Sequence, residues 1–182
     1  MSVTDSPSPS SPSAGTGSSI GDLPTTTAST APVITRSEAT WRGDRSFDAG
    51  PAGRTHLIDG GAKRGPGPVE TLLNAIATCS SLDVIDIIAK RRTPVERLSV
   101  KITAHRRPDY PRRVMRLEME FIIDGAAIEA EHAERAIHLS FERYCSVAGS
   151  LGPDIVAETR LTLNGVSRDP VEQHVWKPLS TA

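Results

Sequence analysis

The sequence predicts an α+β fold with the element order strand, strand, strand, helix, strand, strand, helix, strand. Three observations lead there. Three short strand-like segments, punctuated by Gly and Pro, precede residue 60. A helical stretch over Pro68–Arg92 is apolar almost all round. Two alternating apolar/polar segments are then followed by a second, amphipathic helical stretch. Runs of strands interrupted by two helices argue against a doubly wound parallel sheet, which needs strict strand–helix alternation.

The chain has 182 residues, and 26 of its first 33 are Ser, Thr, Pro, Gly or Ala, with no Lys, Arg or aromatic among them. Such a segment buries too little apolar area to offset chain entropy and is expected to be a disordered tail. The domain is therefore expected over residues 34–165, and residues 166–182 as a loose C-terminal arm anchored by Trp176. Formal net charge is −1, which gives no reason to expect a nucleic-acid or membrane-surface partner. No segment is expected to span a membrane. The N-terminus lacks the basic and apolar regions of a secretory signal, so a cytoplasmic location is the expectation.

Taken in order, Val33–Arg42, Ser46–Asp48 and Thr55–Ile58 read as a strand meander broken at Gly50-Pro51 and Gly53. The run Gly65-Pro66-Gly67-Pro68 is a loop that delivers the chain to a helix, with Pro68 suited to its first turn and Glu70 to its dipole. Asp86 and Lys90 are spaced for an (i, i+4) pair, and Thr93-Pro94 ends the helix. Leu98, Val100, Ile102 and Ala104, and then Leu117, Met119, Phe121 and Ile123, alternate with polar residues as two antiparallel half-buried strands. Ala133, Ala136, Ile137, Ser140, Phe141, Tyr144, Cys145 and Ala148 describe one amphipathic helix from about Ala127 to Ser150. Ile155, Ala157, Thr159, Leu161 and Leu163 form the last strand.

Only two cysteines occur, Cys79 and Cys145, one on the apolar face of each helix. That count excludes a disulfide scaffold, and their separation excludes a CxxC motif. Free cysteine is a common core residue; the functional alternative is a redox pair, which needs a thiolate and therefore a cation or hydrogen-bond donors beside one sulfur. Cys79 lies about three turns into its helix, beyond the reach of the terminal dipole. The histidines His56, His105, His132, His138 and His174 show no metal-ligand spacing, and no cofactor is expected.

The run Gly67-Pro68-Val69-Glu70-Thr71-Leu72-Leu73-Asn74-Ala75-Ile76-Ala77-Thr78-Cys79, together with Glu142-Arg143-Tyr144-Cys145-Ser146-Val147, resembles the two cysteine helices of the OsmC/Ohr superfamily of osmotically inducible and organic hydroperoxide resistance proteins. The resemblance implies the OsmC-like fold and an intertwined homodimer with two sites at the subunit interface. It further implies a thiol-dependent peroxidase that reduces organic hydroperoxides. Cys79 would form a sulfenic acid, Cys145 would resolve it as a disulfide, and a dithiol such as a lipoylated protein would reduce the pair.

Two features depart from that pattern. The family's peroxidases carry a glutamate directly after the helix-start proline; here that position is Val69, and Glu70 follows one residue later, turned by about 100°. Glu70 is thus a candidate for orienting an arginine or simply a partner of the helix dipole. The family's activating arginine comes from the N-terminal half, where Arg42, Arg45 and Arg54 are the candidates. These departures keep open an alternative, a non-catalytic OsmC-like dimer that binds a small apolar or electrophilic ligand.

Overall fold

The computed structural model describes residues 31–175. Most of the expected tail, and Trp176, lie outside them. The chain divides into two units, Met1–Thr35 and Arg36–Ala182. Of the first, residues 31–35 are described and carry neither helix nor strand.

The second unit opens with a three-stranded antiparallel sheet of β1 (Glu38–Gly43), β2 (Ser46–Gly50) and β3 (His56–Asp59), the expected meander with its first strand starting later than Val33. Trp41 lies opposite Phe47 and Phe47 opposite Ile58, an apolar row whose first two members remain exposed. Asp59 closes the sheet and shapes the loop that follows. Its buried carboxylate accepts the backbone N–H groups of Gly61 at 2.8 Å, Lys63 at 3.3 Å and Arg64 at 3.1 Å. Those hydrogen bonds hold its pKa below the ordinary carboxylate value.

That loop delivers the chain to α1 (Pro68–Ala89). Pro68 occupies the first helical turn, and the Glu70 carboxylate reaches back to accept the Gly67 N–H at 2.7 Å, satisfying one of the orphan donors of the helix start. At the other end the Thr93 hydroxyl donates to the Ile88 carbonyl at 3.3 Å. Ile76, Ala77, Ser80, Val84 and Ile88 form the buried stripe. Leu82 and Ile85 point away from it and stay exposed. By length and composition α1 could cross a membrane, which corrects the expectation that no segment approaches a span; here its buried stripe joins the hydrophobic core. The expected Asp86–Lys90 pair is not among the ion pairs of the described residues.

β4 (Arg97–Arg106) and β5 (Val114–Asp124) pair antiparallel, as their alternation predicts. Val100 faces Phe121, Ile102 faces Met119 and Ala104 faces Leu117, so each pair presents an apolar row to the helices. The opposite face is polar and tied by Lys101–Glu120 at 3.0 Å, His105–Glu118 at 2.8 Å and Arg116–Glu158 at 2.7 Å. β6 (Val156–Leu163) runs parallel to β5, extending the apolar rows through Ala157, Leu161 and Leu163. A parallel neighbour requires a crossover, and the second helical region supplies it.

That crossover corrects two expectations. The single helix expected from about Ala127 to Ser150 is divided into α2 (Ala130–Leu139), a π-helical turn at Ser140–Tyr144, an extended residue at Cys145, and the short α3 (Ser146–Gly149). The stretch expected as a loose arm from residue 166 is, up to Val175, an ordered sheet edge: β7 (Val166–Ser167) and β8 (Val171–His174) both pair with β6, and Val175 is fully buried. Strands this short and polar on alternate positions carry little periodic signal of their own.

The core is thus aliphatic and centred on β5. Replacing Phe121 by Ala is expected to cost about 3–5 kcal/mol in urea unfolding, whereas Arg160→Ala on the solvated face should stay within about 0.5 kcal/mol.

Candidate thiol site

The site forms where one face of α1 meets the π-helical turn. Cys79 and Asp83 are one helical turn apart and share a face of α1. Ser140 and Cys145 face them from the crossover. In an uninterrupted α-helix, five residues rotate the chain by about 500°, leaving two such side chains about 140° apart. The π turn removes that offset: the Cys145 N–H donates to the Ser140 carbonyl at 2.8 Å, five residues back. Ser140 and Cys145 are both buried as a result, while Tyr144, which a regular helix would also have buried, is 51% exposed.

The Cys79 Sγ, the Cys145 Sγ and a carboxylate oxygen of Asp83 lie within 4.8 Å of one another. The Ser140 hydroxyl donates to Asp83 Oδ2 at 2.8 Å and fixes the carboxylate. Ser146 Oγ stands 4.0 Å from the Cys79 sulfur. Cys145 serves as N-cap of α3, its sulfur accepting the Ala148 N–H at 3.4 Å.

The two thiols are not equivalent. Cys79 is half-buried and Cys145 is buried, 4% exposed. Burial pushes the Cys145 thiol up to about 12; the Ala148 N–H opposes that shift, and the hydrogen bond and charge of Cys79 and the charge of Asp83 add to it. Cys145 is therefore a neutral thiol at physiological pH.

Residues 60–160 match the family described as OsmC-like protein. The chain belongs to the OsmC-like family. Protein YhfA of Escherichia coli is 38% identical over 98 residues, which cover 53% of this chain and 73% of YhfA. Among solved structures, an OsmC-like protein from Mycoplasma pneumoniae superimposes with a TM-score of 0.64 at 16% identity, covering 72% of this chain and 97% of that one. An organic hydroperoxide resistance protein OsmC from Legionella pneumophila superimposes with a TM-score of 0.50 at 13% identity, covering 73% and 98%. Both share the mixed α+β fold with this OsmC-like chain.

Against the family pattern, the structure brings the two cysteines together and leaves the other candidates elsewhere. Glu70 caps α1 through the Gly67 N–H and pairs with no arginine among the described residues. Arg42 pairs with Asp48 at 3.3 Å within the first sheet. Arg45 runs beside Gly60, and Arg54 lies exposed in the turn before β3. Among the described residues no arginine hydrogen-bonds either sulfur. Asp83 and Ser140 are the site residues that sequence reasoning did not assign. The signal for Asp83 was its (i, i+4) spacing from Cys79, a spacing that becomes informative only once a second cysteine faces it.

Differential alkylation checks the inequivalence. In native protein at pH 8, iodoacetamide is expected to modify Cys79 and spare Cys145, with Cys145 labelling rising only as pH approaches 12, because the thiolate is the nucleophile. The same shift sets a stability trend. An unfolded cysteine loses its proton near ~8.5, so between there and about 12 the folded state retains a proton that the unfolded state has released, and stability falls as pH rises. Equal labelling of both cysteines at pH 8 in folded protein would contradict the burial of Cys145.

Proposed function

We propose that this protein is a thiol-dependent peroxidase that reduces organic hydroperoxides in the cytoplasm. The observation that carries the reading is the meeting of two sulfurs and a carboxylate within 4.8 Å, with one sulfur reachable and the other sealed behind it. The Cys79 thiolate attacks the peroxide O–O bond; the sulfur takes one oxygen, and the other leaves as an alcohol after protonation, giving a Cys79 sulfenic acid. The Cys145 sulfur then attacks the Cys79 sulfur, an S–S bond replaces the S–O bond, and the hydroxyl leaves as water with the Cys145 proton. An external dithiol such as a lipoylated protein returns both thiols by exchange. The Legionella pneumophila protein of the same fold, named for organic hydroperoxide resistance, supports this substrate class.

The proposal includes a homodimer. Leu82, 64% exposed, and Ile85 line a groove of roughly 600 Å³ with Val95, Leu98 and Val100 of the β4 side. Trp41 and Phe47 expose a second apolar row on the first sheet. In this reading a second copy of the chain covers these faces. That copy would also bring a cation, which neither sulfur has beside it among the described residues, with Arg42, Arg45 and Arg54 as the sources.

A non-catalytic OsmC-like dimer that binds a small apolar or electrophilic ligand is the second reading. It is favoured by the charge of Asp83, which adds to the upward shift of the Cys145 thiol, and by there being no arginine hydrogen-bonded to either sulfur among the described residues.

One experiment separates the two readings. Wild-type protein with cumene hydroperoxide and dihydrolipoamide should turn over, Cys79→Ser should fall to the uncatalysed rate, and Cys145→Ser should accumulate a dimedone-reactive sulfenic acid. Wild-type turnover no faster than Cys79→Ser would leave the ligand-binding reading. For the dimer, Leu82→Glu with Ile85→Glu is expected to halve the mass measured by light scattering; an unchanged mass would place the interface elsewhere.

A further inference from the structure

The thiol site contains a feature that disulfide chemistry does not require. Asp83 adds a carboxylate to the two sulfurs as a third donor, and it is held in place: the Ser140 hydroxyl donates to one of its oxygens at 2.8 Å. Together Cys79, Asp83 and Cys145 present one donor atom each within 4.8 Å, two of them from adjacent turns of a rigid helix. A tetrahedral Zn²⁺ has bonds of ~2.3 Å to sulfur and ~2.0 Å to oxygen, which separate neighbouring sulfur donors by roughly 3.8 Å. The donor separations here exceed that value by at most about 1 Å.

We propose that the reduced protein binds one Zn²⁺ per chain through Cys79, Asp83 and Cys145, and that peroxide oxidation of the two cysteines ejects it. The donor set selects the metal. Two thiolates favour a borderline-soft ion, and a single carboxylate cannot satisfy the oxygen demand of Ca²⁺ or Mg²⁺. Three protein donors leave a fourth position open to water, the arrangement of an exchangeable rather than a closed structural site. Ser140 plays the supporting role that outer-shell hydrogen bonds play in metal sites, orienting the carboxylate that ligates. Ser146 Oγ, 4.0 Å from the Cys79 sulfur, borders the cluster near that sulfur.

Binding displaces the thiol protons, so affinity rises with pH. In the bound state both sulfurs would be held as thiolates, and their joint oxidation removes two of the three donors. Release is balanced as follows. The zinc bis-thiolate, one hydroperoxide and two protons give the Cys79–Cys145 disulfide, free Zn²⁺, an alcohol and water; the two sulfurs lose two electrons and the peroxide gains them. This release step rests on the peroxidase reading, whereas the binding step does not.

The test uses the reduced, metal-free full-length chain, titrated with Zn²⁺ against a chromophoric chelator and with Co²⁺ to read the thiolate-to-metal charge-transfer band. One ion per chain is expected, with the cobalt band lost in Cys79→Ser and in Cys145→Ser. Asp83→Asn should weaken Zn²⁺ by at least about tenfold, and Ser140→Ala by less; circular dichroism of each variant confirms that it is folded. A parent protein that binds no Zn²⁺, or a folded Asp83→Asn that binds as tightly as the parent, overturns the site. Adding cumene hydroperoxide to the zinc-loaded protein should release one Zn²⁺ for each disulfide formed. If zinc binds through all three residues but hydroperoxide neither forms the disulfide nor releases the ion, the peroxidase reading fails and the metal site stands.

Discussion

The packing of the crossover onto α1 is the constraint on which the site depends. α1 is held at both ends, by the Glu70 carboxylate at its start and the Thr93 hydroxyl at its finish, and its central stripe of Ile76, Val84 and Ile88 enters the core formed with β5 and β6. Because β6 runs parallel to β5, the chain must cross back over the sheet, and the crossover meets α1 on the way. The place where it meets α1 is where it loses regular α-helical form. Ser140 turns its hydroxyl to Asp83 and Cys145 turns its sulfur to Cys79 in the same step. A helix that remained regular would satisfy one of those contacts and forfeit the other.

Much of this was legible in the sequence. The alternation in β4 and β5 fixed their pairing because a slip of one residue would turn Phe121 and Leu117 out to solvent. The start of α1 was legible because Pro68 and Glu70 each have one good place in a helix. The apolar setting of each cysteine suited a core thiol as well as a redox one, and the pairing was legible only through the resemblance of the two cysteine segments to the OsmC/Ohr helices; Cys145 itself lies at an extended residue between the π turn and α3. The π turn was not legible, since a hydrophobic pattern of spacings three and one reads the same whether or not one residue is looped out. Tyr144 shows the consequence: periodicity buries it and the extra residue in the turn exposes it. The role of Asp83 was hidden for a related reason, because an aspartate on an apolar helix, like its neighbour Asp86, gains meaning only from what is set against it. β7 and β8 were missed because edge strands of two and four residues give no periodic window to read.

The asymmetry between the thiols follows from the same packing and bears on how each can act. Cys145 sits beneath the turn, where desolvation keeps its proton, and its one compensating donor is the Ala148 N–H. Such a group makes a poor first nucleophile and a good reserve one. In the proposed peroxidase cycle it would act only after the neighbouring sulfur had become electrophilic, from within 4.8 Å of it. Cys79, half-buried on the rigid helix, is the sulfur that solvent-borne molecules can reach.

Asp83 makes the charge of the cluster the deciding quantity. The carboxylate fixed by Ser140 adds to the upward shift of the buried Cys145 thiol. A cation that entered the cluster would offset that charge. A divalent metal would engage all three donors at once. An arginine delivered by a second copy would neutralise the carboxylate from one side and leave the Cys79 sulfur open. The two cations therefore compete for the same negative charge with opposite consequences for reactivity. On this view Asp83 is the residue that lets one site alternate between a sequestered and a reactive state, and the Ser140 hydroxyl, by holding the carboxylate against the sulfurs, keeps that competition confined to a single position.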